Sequence, residues 1–432
     1  MIPDLIIAGA GPAGLMAAKT ASEDGLSVVL LETKKNISRY TRPCCSMWIL
    51  EPGFHNEGWS FEDDKILFHR NDFAVRYKGE WVDLYRSTRF SPSGNRIVMG
   101  KRNFPIARVI NKQVLCEGLL EECSDAGADI RPACTAIEVR EEKDHVKVKV
   151  RHQAGHEWIK SKWLIAADGV SSRIAENLGY NQGRKKLALT RVITYHYAGV
   201  ESPYADSWTR FIGYGFNGVG GFLLRKPDHD GLSNVYEVCA DAGRGKNITG
   251  GEAISRLIRH PILHDWFKNA ELVRKMGCMW TLWEPIKKPA RGRTILVGDA
   301  PSFQEVEIQG ALMCGYRAVK AIKQESEGEP GMKYYNRFWN NSFEFNDDRI
   351  LLECCRGHWM RNINDDQLDY LFNLAGDRLL DGYINHFNSG TALLDFFKDH
   401  MDRIQMERPD IADALTVFDK LTLEQAFAKK QD

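Results

Sequence analysis

The sequence predicts an α/β fold with a parallel sheet at its centre, and three separated stretches carry that prediction. They are DLIIAGAGPAGLMAAKTASEDGLSVVLLE (4–32), WLIAADGVSSRIAENLG (163–179) and GRTILVGDAPSFQEVEIQGALMCGYRAVKAI (292–322). Each begins with an apolar run of the kind buried on both faces of a sheet, turns at a glycine, and passes into a helical pattern. The segments between them alternate apolar and polar residues as strands, and the last hundred residues are helical in pattern. The expected whole is therefore a parallel-sheet domain interleaved with a mixed or antiparallel-sheet domain, followed by a C-terminal helical region.

The first stretch reads as strand, glycine turn, helix, strand and acid. Leu5 to Ala8 is a strand entering Gly9-Ala10-Gly11-Pro12-Ala13-Gly14, and a helix follows from about Leu15 to Ser22. Gly25 stands where a helix end takes a left-handed residue. Val28 to Leu31 forms a second strand ending at Glu32. Gly9 permits the tight turn, Gly11 admits a pyrophosphate to the backbone, and Gly14 lets helix and strand pack closely. The helix N-terminus faces the phosphates, and Glu32 is spaced to accept hydrogen bonds from ribose hydroxyls. Together these parts predict a dinucleotide site.

The later stretches decide which dinucleotide. The second ends its strand at Asp168-Gly169 and starts a helix with Ser171, Ser172 and Arg173; the third ends at Gly298-Asp299. A domain for NAD alone has no use for a second Gly-Asp strand so far down the chain. FAD does, because its extended body crosses the domain and its hydroxyls need an acceptor such as Asp299. Backbone N–H groups near Gln309, Gly310 and Ala311 would face the polar edge of the flavin. The parallel-sheet domain is thus expected to be a Rossmann-type FAD-binding domain. The trio of motifs resembles the FAD-dependent hydroxylase-like superfamily, which includes aromatic monooxygenases, flavin halogenases and the geranylgeranyl reductase family.

The remaining chain fits round this frame. Residues 65–106 and 185–245 alternate as strands, Val114 to Ala126 has helical spacing, and Ala136 to Ala167 reads as a meander of strands. The expected division is an FAD-binding domain of 1–64, 107–180 and 275–325, a substrate-binding sheet domain of 65–106 and 181–274, and a helical region of 326–432. Lys plus Arg and Asp plus Glu are both 58, so no electrostatic footprint for nucleic acid is present. No apolar run reaches the ~20 residues of a membrane span. The first strand starts too early for a cleavable signal, and the ten cysteines contain no Cys-x-x-Cys, so a reduced, cytoplasmic chain without metal is expected. Cys354 and His358 share one helix face beside Cys355, but no second cluster completes a four-ligand site. Leu393, Phe396, Phe397, Met401 and Ile404 recur along a helical stripe expected to be core, with a lipid tunnel or a peripheral membrane contact as the alternatives.

Narrower features resemble the geranylgeranyl reductase family over nearly the whole chain. Arg42-Pro43-Cys44-Cys45 is similar to that family's Lys-Pro-Cys-Gly element, and the third motif to its Gly-Asp-Ala-Ala-Gly…Gly-Gly-Gly pattern. Four departures stand out. Val306 replaces a proline, Gln309 a glycine, and Asn111 an arginine at the helix start. The Tyr-x-Trp-x-Phe-Pro run survives only as Gly221-Phe222-Leu223-Leu224-Arg225-Lys226-Pro227. The resemblance implies that the loop carrying Arg42, Pro43 and Cys44 lies beside the flavin, and that the chain reduces or forms a C=C bond in an apolar, prenyl-like substrate. Cys44 would then donate the proton or position its donor; Glu305 and Glu307 are the other candidate acids. Two further readings remain open: an FAD-dependent monooxygenase of an aromatic or apolar substrate, and a flavoprotein electron carrier linked to quinone. No second glycine turn is read for NAD(P)H, so ferredoxin, NAD(P)H or another flavoprotein could supply electrons.

Overall fold

The computed structural model describes residues 2–228, 231–241, 248–356, 359–385 and 387–428; His358 lies outside them. The unbroken apolar runs lie where physics requires, in the middle of a sheet covered on both faces. That sheet has six strands in the order Asp129–Pro132, Val28–Glu32, Leu5–Ala8, Trp163–Ala166, Thr294–Leu296 and Ala290–Arg291. The first five run parallel, and the last turns back antiparallel. All three glycine motifs therefore end neighbouring strands at one edge of a single sheet. The predicted α/β class is the class observed.

Local chemistry accounts for the turns. The helix after the first strand is Pro12–Glu23, starting three residues before the apolar pattern suggested because Pro12, with its fixed φ, suits the first helical position. Gly25 has φ +81°, the left-handed value expected of it. The helix packs against the long helix Glu307–Ser326, which comes so close that a Cβ on Gly315 would press on the Ala17 nitrogen at 3.0 Å.

The second layer is an eight-stranded sheet in the order Glu271–Trp283, Lys186–Ala198, Tyr236–Asp241, Gly220–Arg225, Ser207–Phe211, Arg86–Phe90, Arg96–Gly100 and Leu379–Asp381. Two of these strands cross the expected divisions of the chain: the first passes 274/275, and the last comes from the helical tail. One face of the sheet, with Trp208, Leu224 and Phe222, joins the main core together with the parallel-sheet domain and the tail. The other face, with Phe90, Phe211 and Val238, packs on a separate cluster with Ile254 and Leu257. Gly213 to Gly218 repeats the glycine spacing of Gly9 to Gly14, which the sequence reading passed over. It closes an antiparallel hairpin with no helix behind it, so it is no phosphate cradle.

The tail is helical as expected, but the apolar stripe is split between helices Ser389–Lys398 and Met401–Glu407. The His400 ring engages the Phe396 carbonyl at 2.8 Å, close to where the first helix stops. Leu393, Phe397 and Ile404 are fully buried, so the stripe is core. Among the described residues no helix is long and apolar enough to cross a membrane.

Candidate active site

The glycine turn has the shape that a pyrophosphate needs. Gly9 sits at φ +106°, and a Cβ there or on Gly14 would collide with backbone of the neighbouring turn. A Cβ on Gly11 would meet nothing within 4 Å, so the chain leaves open space at the one position a phosphate must approach. Gly11 N-caps the helix with no side-chain cap, Pro12 and Ala13 follow, and no acid stands in the first turn. The helix thus presents free N–H groups to an anion. Glu32 is buried; its Oε2 accepts the Ala10 N–H at 2.7 Å and its Oε1 the Lys34 N–H at 2.9 Å. The carboxylate braces the turn with one contact per oxygen and keeps further acceptor capacity for ribose hydroxyls.

The second and third motifs converge on the same edge. Asp168 Oδ2 accepts the Ile174 N–H at 3.2 Å, while Oδ1 is buried without a hydrogen-bond partner. Burial raises its carboxyl above the usual aspartate value. Gly169, at φ +78°, lies under Arg42: a Cβ there would be 3.7 Å from the guanidinium. Asp299 Oδ1 accepts the Val306 N–H at 3.1 Å, and burial raises this carboxyl too. The proline that the resembled pattern has at this position would have no N–H to give, so Val306 holds Asp299 through its main chain. Gly298 has φ +65°, and a Cβ there would meet Ala13 at 3.3 Å, tying the third motif to the first. An orphaned acceptor at Asp168, an open cradle at Gly11 and acids at Glu32 and Asp299 fit the expected FAD.

Two residues do other work than their positions implied. The Gln309 side chain is fully buried and bonds both ways to Ile49, so only its main chain can face a cofactor beside Gly310 and Ala311. The Asn111 side-chain Oδ1 caps helix Lys112–Asp125 by accepting from the N–H groups of Gln113 and Val114. A short amide one residue before the helix is spent on capping it.

The basic group at this helix start is instead Lys112, whose Nζ lies 3.4 Å from Cys44 Sγ. Burial works to lower that ammonium, but its neighbours Cys44, Cys116 and Asp299 outweigh it and hold it above the usual lysine range. On its other side the Cys44 loop is gripped by the eight-stranded sheet. Lys226 Nζ donates to the carbonyls of Cys45 at 2.6 Å and Cys44 at 3.3 Å, and to Glu237 Oε2 at 3.0 Å. Arg274 donates to the Tyr40 carbonyl at 2.8 Å. Lys226 and Glu237 are both buried; burial opposes each charge, yet mutual attraction keeps Lys226 raised and Glu237 lowered, so the pair stays ionised. His196 stands 3.8 Å from Glu237, and burial holds its imidazole below the usual value. Burial, with Glu237 and Glu305 adding to it, pushes the Cys45 thiol well up. Glu305 thus lies on the Cys45 side of the site. Glu307 opens the long helix at φ +54°, a left-handed conformation at a non-glycine residue.

Lys112, Lys226, Glu237 and Arg274 were not singled out as site residues from sequence. Lys226 had one signal, a lysine where the resembled run has an aromatic residue.

The chain is similar to several known proteins. A model of the pyridine nucleotide-disulphide oxidoreductase family matches residues 3–204. The digeranylgeranylglycerophospholipid reductase of Methanocaldococcus jannaschii is 26% identical over 415 residues, covering 92% of this chain and 97% of the relative. That of Methanosarcina acetivorans is 25% identical, covering 86% and 88%. Among solved structures, a geranylgeranyl bacteriochlorophyll reductase-like protein from Thermoplasma acidophilum superposes with a TM-score of 0.69 at 18% identity, covering 96% of this chain and 99% of that one. The p-nitrophenol 4-monooxygenase of Pseudomonas putida shares the fold at a TM-score of 0.59 and 15% identity, covering 92% and 97%.

Proposed function

We propose that the chain belongs to the geranylgeranyl reductase family of FAD-dependent oxidoreductases and that it reduces, or in reverse forms, a C=C bond in an apolar, prenyl-like substrate. The observation that carries this reading is the Cys44 loop. It is held between the FAD motifs and the eight-stranded sheet by Lys112 on one side and Lys226 and Arg274 on the other. When bound, FAD supplies hydride chemistry at N5.

The chain's own residues would do the rest. Glu32, Gly11 and Asp299 bind the cofactor, and Asp168 offers an unused acceptor to it. Lys112 donates to Cys44 Sγ, so the two side chains hold a proton between them beside the loop; that pair is the proposed source of the proton an alkene carbon requires. The sheet face with Trp208, Phe222 and Leu224 excludes water and receives an apolar chain. Electrons would come from ferredoxin, another flavoprotein or transiently bound NAD(P)H, and a lipid substrate would bring the protein to a membrane surface.

Anaerobic photoreduction of the flavin followed by addition of a geranylgeranyl lipid tests this reading. Reoxidation of the flavin, with a gain of two hydrogens in the product by mass, is the expected result. Cys44→Ala and Lys112→Met should each slow that step by 10²-fold or more, the usual range for losing a positioned acid, with flavin content unchanged. Flavin that stays reduced until oxygen enters, with oxygen then found in the product, would replace this reading with a monooxygenase.

A further inference from the structure

The eight-stranded sheet holds a charged group that the proposed chemistry leaves unused. Arg89 is fully buried, and its Nε, Nη1 and Nη2 all lack a hydrogen-bond partner. Ser87 and Ser91, two residues away on either side, are also fully buried with unpartnered hydroxyls. Alternate residues of a strand share a face, so Ser87 and Arg89 lie on one face of Arg86–Phe90, and Ser91 follows just past the strand's end. Directly across the register stands Arg210, a second guanidinium, and among the described residues no carboxylate pairs with Arg89.

A buried cation without a counter-charge is among the costliest arrangements in a folded chain. Burial drives the Arg89 guanidinium well below its usual range, and Arg210 acts in the same direction. An apolar residue here would be cheaper, and the same face holds several: Ile97, Met99, Phe222 and Leu224. The arrangement makes sense if the missing partner is a ligand. A guanidinium fork with two unpartnered hydroxyls beside it matches the several lone pairs of an oxyanion.

The position of this group says what else the ligand carries. Arg89 lies on the face that also bears Trp208, Leu224 and, farther along, Glu237. From the Arg86–Phe90 strand to the Tyr236–Asp241 strand is three strand steps, or roughly 14 Å at about 4.8 Å per step. Apolar side chains line that stretch of the face, with Trp208 and Phe222 edge to face at 5.8 Å. At the far end, Glu237 and Lys226 grip the Cys44 loop.

We infer that Arg89, with Ser87 and Ser91, forms a buried subsite for the oxyanion head, carboxylate or phosphate, of a substrate whose apolar chain runs across the sheet to the Cys44 loop. The inference rests on the proposed C=C chemistry for the chain's identity, but not for the subsite itself.

The test uses the flavin-loaded full chain and follows the flavin spectrum during titration. Geranylgeranyl phosphate, geranylgeranoic acid and geranylgeraniol form one set; palmitoleate and its methyl ester form a second that needs no prenyl recognition. The anionic members of both sets should bind at least tenfold tighter than the neutral ones, and the better of phosphate and acid names the head. Arg89→Met should abolish the preference while leaving the ligand-free melting temperature unchanged or higher, because it removes an unpaired charge. Arg89→Lys should retain part of the preference. Equal binding of anion and neutral partner by the natural chain overturns the subsite, as does a Met variant that keeps the preference or melts lower with selectivity intact. If palmitoleate is preferred over its ester but no prenyl compound reoxidises the flavin, the subsite stands and the prenyl reading falls.

Discussion

Lys226 stands where the family resemblance puts an aromatic ring, and the structure shows what that exchange costs and gives. A buried ammonium has been bound to a buried carboxylate and to two loop carbonyls. Removing one member of such a pair leaves the other charged and desolvated, which typically costs about 3–5 kcal/mol. Lys226→Met should therefore destabilise the protein by about that much in denaturant titration, and adding Glu237→Leu should restore most of it. Recovery in the double variant separates a charge effect from a packing effect. The same cluster sets an acid limit. Burial holds His196 below its usual value, so the unfolded chain takes up that proton first, near its ordinary pKa of about 6.5. Glu237 is held below the usual range, because Lys226 and His196 outweigh the burial that would raise it. Its contribution is present above about pH 4.3 and is lost as pH falls through the lowered value. Thermal stability should thus fall in two stages on acidification, and His196→Asn should remove the first. A single-stage profile in the natural chain would show that the cluster does not couple to folding.

At the scale of an element, the glycine turn was legible because its constraints are local: a tight turn, a close approach and a helix start fall within six consecutive residues. The clamp on the Cys44 loop was not. Its members come from Tyr40 to Cys45, Lys112, Lys226, Glu237 and Arg274, and only strand register and sheet packing bring them together. Asn111 was misplaced for a related reason, since residue identity at an aligned position does not reveal that a side chain will turn back to cap its own helix. Val306 shows the reverse, a departure whose value lies in a backbone N–H that sequence comparison ignores. The turn also yields a discriminating pair of variants. Gly11 has an ordinary φ of −76° and open space at its Cβ, so Gly11→Ala should leave the apoprotein's melting temperature nearly unchanged while flavin binding is lost. Gly14→Ala would drive a methyl into the Gly9 carbonyl and should lower both. Calorimetry of the apoproteins together with flavin absorbance after reconstitution reads the two effects separately. Flavin retained by Gly11→Ala would mean that the pyrophosphate lies elsewhere.

At the scale of the whole molecule, the tail is a structural layer as well as a cover. Its strand Leu379–Asp381 completes the edge of the eight-stranded sheet beside Arg96–Gly100. Its Glu344 engages the His55 ring at 2.8 Å, and His55 Nε2 lies 3.2 Å from the Val306 carbonyl at the start of the long helix. Phe343, Phe345, Leu371, Phe372, Leu393 and Phe397 are all buried in the same apolar cluster as Leu5, Ile7 and Met313 of the parallel-sheet domain. Each such side chain stabilises by about 1.5–3 kcal/mol when buried, so six of them rival the ~5–15 kcal/mol that separates folded from unfolded chains. A chain ending at Ser326 keeps all three FAD motifs, and a reading based on motifs alone would expect it to bind flavin. The packing says otherwise: that chain should be insoluble or lack a cooperative thermal transition, and Phe343→Ala in the full chain should cost about 3–5 kcal/mol. A soluble, flavin-loaded 1–326 fragment with a sharp transition would show instead that the tail is separable, and that its aromatic residues serve the substrate alone.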